Sequence, residues 1–91
     1  MLQIPRKVEY ALRAAVFLAR QPDGENVSFR EVADAQDVPP DFMAKILRTL
    51  VENGLLASSR GANGGYRLAQ PASQVTFLDV IEAADSPITL N

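Results

Sequence analysis

Apolar residues open the chain at helical spacing. Val8, Ala11, Leu12, Ala15 and Leu18 follow Pro5, a residue suited to a first helical turn, and Gln21-Pro22-Asp23-Gly24 ends the run. This pattern predicts a helix over about 5–20. Asn26-Val27 suits a short strand. Ser28 and Glu31, three residues apart, then carry the signature of a capping box for a second helix over about 28–36, with Phe29, Val32, Ala33 and Gln36 on its buried stripe. That helix stops before Asp37-Val38-Pro39-Pro40. A third helix, over about 39–53, is two-faced. Met43, Ile46, Leu47, Leu50 and Val51 make its apolar side, Asp41, Ala44, Lys45, Arg48 and Glu52 share the other, and Gly54 stands where a left-handed cap residue belongs.

The period then changes. Leu55 to Arg60 and Tyr66 to Ala69 read as two short strands around Gly61-Ala62-Asn63-Gly64-Gly65, a hairpin over about 55–70 that Pro71 closes. Thr76 and Asp79 can cap a fourth helix over about 76–85, with Phe77, Val80, Ile81 and Ala84 over the core and Ser86-Pro87 as its stop. The fold class is mainly α with a small β-hairpin. Three helices, a strand, a glycine-rich loop and a second strand follow in the order of a winged helix-turn-helix, and the 91 residues make one domain over 1–91.

A helix-turn-helix places its second helix in the major groove of DNA. Here that is the third helix, whose Asp41, Phe42, Ala44, Lys45 and Arg48 are the candidates for base edges and phosphates, with Phe42 also a candidate for the core. In the turn, Asp37 occupies the place where a glycine usually supplies a positive φ, which Asp tolerates better than most residues. In the hairpin, Arg60 precedes a loop of small residues that lets backbone approach a phosphate or groove edge, Asn63 is a polar tip, and Gly64 and Gly65 complete the loop. Tyr66 is expected to pack beneath. Arg6 and Lys7 are candidate anchors of the first helix to the DNA backbone, and Arg30 joins the candidate set.

Charge changes this picture only in its distribution. The net charge of −2 is unusual for a nucleic-acid binder. Yet Arg6, Lys7, Arg13 and Arg20 face Glu9 alone in residues 1–20, and Lys45, Arg48, Arg60 and Arg67 face Glu52 alone in residues 42–70. Acidic residues gather in the stretch from Asp23 to Asp41 and at Asp79, Glu82 and Asp85. With neither Cys nor His, the chain can build no disulfide, no ordinary zinc site and no Cys/His or Ser/His catalysis. Gly61 to Gly65 lacks the Lys and Ser/Thr of a phosphate-binding loop, so no enzyme is expected. No apolar run is long enough to span a bilayer and the N-terminus lacks a signal-peptide block, so the expected location is the cytoplasm.

Four segments, Val8-Glu9-Tyr10-Ala11-Leu12-Arg13, Val38 through Leu47, Arg60-Gly61-Ala62-Asn63-Gly64-Gly65-Tyr66 and Phe77-Leu78-Asp79-Val80-Ile81, resemble the Rrf2 family of bacterial transcription regulators. The resemblance covers almost the whole chain, and the hairpin segment is its most specific part. It implies a dimeric regulator, repressor or activator, that reads a partly palindromic double-stranded DNA operator with the third helix in the major groove and the Arg60 wing alongside. It also implies a further dimerisation helix and, in many members, three cysteines that hold an iron-sulfur cluster. The ending Ser86-Pro87-Ile88-Thr89-Leu90-Asn91 resembles the family segment before the first of these, so no cofactor is expected in this chain unless a longer protein supplies cysteines. Glu9 lies where some members place a carboxylate ligand, and the plainer reading is an exposed helical acid. Ala44 departs from members with an acid at that point, so operator preference does not carry over. The rival expectation is a winged-helix module that binds protein rather than DNA; no small-molecule substrate and no membrane contact is expected in either case.

Overall fold

A computed structural model describes residues 3–85. Helix α1 spans Arg6–Ala19, α2 Phe29–Gln36, α3 Pro40–Glu52 and α4 Phe77–Asp85; strands β1, Leu56–Ser59, and β2, Gly65–Leu68, form the hairpin, and a short 3-10 turn covers Ala72–Gln74. The expected stop at Ser86-Pro87 lies outside the described residues. Val8, Ala11, Ala14, Ala15 and Leu18 of α1 are buried, as the spacing requires, and Pro5 precedes the helix with its carbonyl accepting from the Val8 and Glu9 N–H groups at 3.0 Å. Ser28 caps α2 by accepting the Glu31 N–H at 3.2 Å. Removing Ser28's oxygen would leave an N–H of the first turn without an internal partner.

Helix α3 supplies the centre of the core. Met43, Leu47 and Leu50 are fully buried beside Val27 and Val32, and Ile46 and Leu56 close the layer. α1 packs on α2, α3 and α4, and the hairpin packs on α1 through β2 and on α3 through β1. Gly54 takes the expected positive φ, +82°, just past α3. The two strands pair antiparallel in the register Leu56 with Leu68 through Ser59 with Gly65. Val27 joins them as a third, one-residue strand: its N–H donates to the Tyr66 carbonyl at 2.9 Å and its carbonyl accepts the Tyr66 N–H at 2.8 Å.

Helix α4 is where periodicity misassigned the inner face. Its capping box is formed in both directions, Thr76 N–H to Asp79 Oδ2 at 2.9 Å and Asp79 N–H to Thr76 Oγ1 at 3.1 Å. Val80 and Ala84 are buried as expected, but the third buried residue is Ala83, while Phe77 is 70% and Ile81 38% exposed. An inner face made mostly of alanines lets α4 lie close on α1 and α3, which leaves no depth for Phe77 or Ile81. Phe77 instead lines an open apolar groove with Leu12, Val16, Leu68, Val75 and Val80.

Candidate nucleic-acid interface

The turn between α2 and α3 is built by one residue in an uncommon conformation. Asp37 adopts φ 55° and ψ 48°, the left-handed region expected of it. The next N–H, of Val38, reaches back to the Ala33 carbonyl at 3.0 Å, and the Asp37 N–H bonds Asp34 O at 3.3 Å. Val38 itself is buried. This is a Schellman-type ending with its hydrophobic anchor, and it leaves three residues between α2 and α3. Pro39 and Pro40 then start α3, because proline's fixed φ fits a first turn where no internal donor is needed.

The start and outer side of α3 present Asp41, Lys45 and Arg48 to solvent, with Ala44 half-buried between them. Lys45 has no acidic partner among the described residues, whereas Arg48 Nε lies 3.9 Å from Glu52 Oε1 one turn on. Phe42 belongs to the packing rather than the exposed set: half-buried, its ring meets Tyr10 of α1 edge-on at 5.4 Å and 80°. The pair ties the start of α3 to α1, with Phe42 also lining a surface cavity beside Lys7 and Lys45.

The wing owes its glycines to itself. A Cβ at Gly64 would lie 2.4 Å from the Ser59 carbonyl oxygen, and one at Gly65, where φ is +142°, would lie 2.5 Å from the Val27 carbonyl oxygen. Both residues are half-buried by the hairpin's own backbone and by the Val27 strand. Close packing of three backbone segments is thus an internal reason for both glycines. Tyr66 is half-buried against the core, as expected. Arg60 and Asn63 are exposed at the loop, and Arg60 has no acidic partner among the described residues.

Two residues in no candidate set hold this loop. The Asn26 side chain donates from Nδ2 to the Asn63 carbonyl at 3.1 Å and accepts at Oδ1 from Arg67 Nη1 at 2.9 Å; the same Nη1 lies 3.1 Å from Ser59 Oγ. The available signal was Asn26 beside Val27, with Arg67 alternating against Tyr66 and Leu68. Contacts 37 and 41 residues apart do not announce themselves in a local pattern.

Among the remaining cations, Arg6 is exposed without an acidic partner among the described residues. Lys7 pairs with Asp85 at 3.7 Å across α1 and α4, and it lines one shallow cavity with Phe42 and Lys45, which brings it to the flank of α3. Arg30 is exposed with its guanidinium 5.1 Å from the Phe29 ring centre. Arg13 is engaged by Glu9 at 2.8 Å. These exposed pairs are weak, on the order of 0.5 kcal/mol, and a polyanion could compete for Lys7 and Arg48 at little cost.

The order of elements, the left-handed turn and the wing can be set beside known proteins. The Rrf2 family model, described as an iron-dependent transcriptional regulator, matches residues 4–91. The chain belongs to the Rrf2 family. Rv1287 of Mycobacterium tuberculosis (strain ATCC 25618 / H37Rv), named as an HTH-type transcriptional regulator, is 39% identical over 87 residues, which cover 96% of this chain and 54% of that protein. Among solved structures, CymR (YrzC), the global cysteine regulator of B. subtilis, superposes with a TM-score of 0.87 at 28% identity over 100% of this chain and 70% of its own. IscR of T. potens does so with a TM-score of 0.85 at 27% identity over 99% of this chain and 66% of its own. The chain thus spans about half the length of Rv1287 and shares the winged-helix fold of the two solved regulators. The family description and the name given to Rv1287 are those of transcription regulators.

The 91 residues contain no thiolate or imidazole, Glu9 is held by Arg13, and no cluster of three acidic side chains suited to a metal occurs among the described residues. No helix among the described residues is long and apolar enough to cross a membrane.

Proposed function

We propose that this Rrf2 domain binds double-stranded DNA as the reading head of a transcription regulator, with α3 in the major groove and the Arg60 wing beside it. The observation that carries the reading is the Asp37 turn, which delivers α3 with its apolar side in the core and Asp41, Lys45 and Arg48 exposed. In this reading Ala44 lies against the groove, Lys45, Arg48 and Arg60 meet bases or phosphates, Asn63 is the wing tip, and Arg6, Lys7 and Arg30 contact flanking backbone. Gly64 and Gly65 support the wing, and Phe42 supports α3. The complete protein acts in the cytoplasm as a homodimer on a two-fold operator, most simply as a repressor that blocks the promoter it covers. Support for pairing comes from Val16, Phe77, Leu78 and Ile81, large apolar residues left exposed along α1 and α4. The 91 residues hold neither Cys nor His, so an iron-sulfur cluster would need ligands that a longer protein supplies.

Selection of duplexes from a random pool, followed by anisotropy titrations across a salt series, tests the reading. A preferred duplex is expected, with an affinity that falls steeply with salt. Lys45→Ala or Arg60→Ala should each lower the salt slope by about 1, as loss of one phosphate contact does. No preference over random duplex at low salt, or an affinity indifferent to salt, overturns it.

A further inference from the structure

We propose that Asn26 and Arg67 form a bracket that positions the wing for its groove contact, with Arg67 acting through Asn26 rather than on phosphate. The proposal rests on the DNA-binding reading above. Arg67 sits on β2 half-buried, without an acidic partner among the described residues, and its Nη1 is directed at two neutral oxygens, Asn26 Oδ1 at 2.9 Å and Ser59 Oγ at 3.1 Å. Charge-assisted bonds of this kind are stronger than neutral ones. The guanidinium can only donate and the Asn63 carbonyl can only accept, so the two contacts together fix which way the Asn26 amide points.

Asn26 is well placed to pass this on. It immediately precedes Val27, whose paired backbone bonds hold Tyr66, and lies two residues before Ser28, the cap of α2. One side chain thereby ties the tip of the wing, at Asn63, and its returning strand, at Arg67, to the segment that enters the helix-turn-helix. The hairpin alone has four paired positions and a loop whose backbone makes one internal bond, Gly64 N–H to Gly61 O at 2.9 Å. So short a hairpin is marginal without outside support, and the bracket supplies support at the end that carries Arg60.

The test uses the 91-residue chain and the duplex that the wild type selects from a random pool. Asn26→Ala changes no charge, and Arg67→Lys keeps the charge while losing the directed geometry. Each should weaken binding by about tenfold, the equivalent of one charge-assisted hydrogen bond, with the salt slope unchanged and the loss confined to base pairs flanking those read by α3. The double variant should be no weaker than either single one, because both break one network. Ser59→Ala, at an exposed position, should give a smaller loss of the same kind. In {1H}-15N relaxation, the Asn63 and Gly64 amides should loosen in Asn26→Ala while those of α3 stay rigid, which general destabilisation would not produce. Wild-type affinity in both Asn26→Ala and Arg67→Lys overturns the bracket alone, as does Arg67→Gln lowering the salt slope by about 1 with Asn26→Ala silent, the result of a direct phosphate contact. A wild type that prefers no duplex overturns the DNA reading and the bracket with it.

Discussion

Gly65→Ala would combine a strained backbone with a clash against backbone. Two terms add. A φ of +142° is one that a residue with a Cβ rarely adopts, and holding it there costs on the order of 1–3 kcal/mol. The added carbon would also lie 2.5 Å from the Val27 carbonyl oxygen and 2.6 Å from its carbon, both backbone atoms with no rotamer to yield. Separating them pulls on the neighbouring Val27 to Tyr66 pair of hydrogen bonds, 2.9 and 2.8 Å long, which are worth about 1 kcal/mol each. The total is about 3–5 kcal/mol, a large part of the roughly 5–15 kcal/mol that stabilises a domain. At about 4–8 °C per kcal/mol for a domain of this size, the thermal midpoint should fall by about 15 °C or more. Thermal unfolding followed by far-ultraviolet circular dichroism measures it, with Gly61→Ala as the comparison: φ there is +100° but no atom stands within 4 Å of the added Cβ, so only the backbone term of about 1–3 kcal/mol applies. A Gly65→Ala midpoint close to that of the wild type, or a Gly61→Ala loss as large, would refute the reasoning.

Substitutions at three further positions separate packing from contact. Asp37→Gly should stabilise by about 0.5–1 kcal/mol by relieving the left-handed backbone, while Asp37→Val should destabilise by about 1–2 kcal/mol; urea midpoints read both. Thr76→Ala removes the oxygen that accepts the Asp79 N–H and should cost about 1 kcal/mol by the same measurement. Phe42→Leu loses the edge-on ring contact with Tyr10, so the melting midpoint should drop by the equivalent of about 1 kcal/mol, while anisotropy shows the folded protein's affinity for its selected duplex nearly unchanged. A large affinity loss with an unchanged midpoint would return Phe42 to the groove-facing set.

Features that act over a few residues are legible in the chain's own pattern. Helix α1 and its buried stripe, the Ser28 and Thr76 caps, the proline start of α3, its two faces and the left-handed Asp37 all follow from periodicity and from hydrogen bonds reaching three to five positions. Family membership was legible for a related reason, because turn and wing residues keep their order along the chain. Tertiary structure alone decided which side of α4 faces inward, since that depends on how deep the surface offered by α1 and α3 is, not on α4's own period. It also decided that Gly64 and Gly65 serve the wing's close backbone contacts, that Phe42 turns to Tyr10, and that Lys7 of α1 meets Asp85 of α4. The bracket is the extreme case. Asn26 and Arg67 meet across 41 residues because two backbone bonds at Val27 bring their segments side by side, and no local pattern contains that distance.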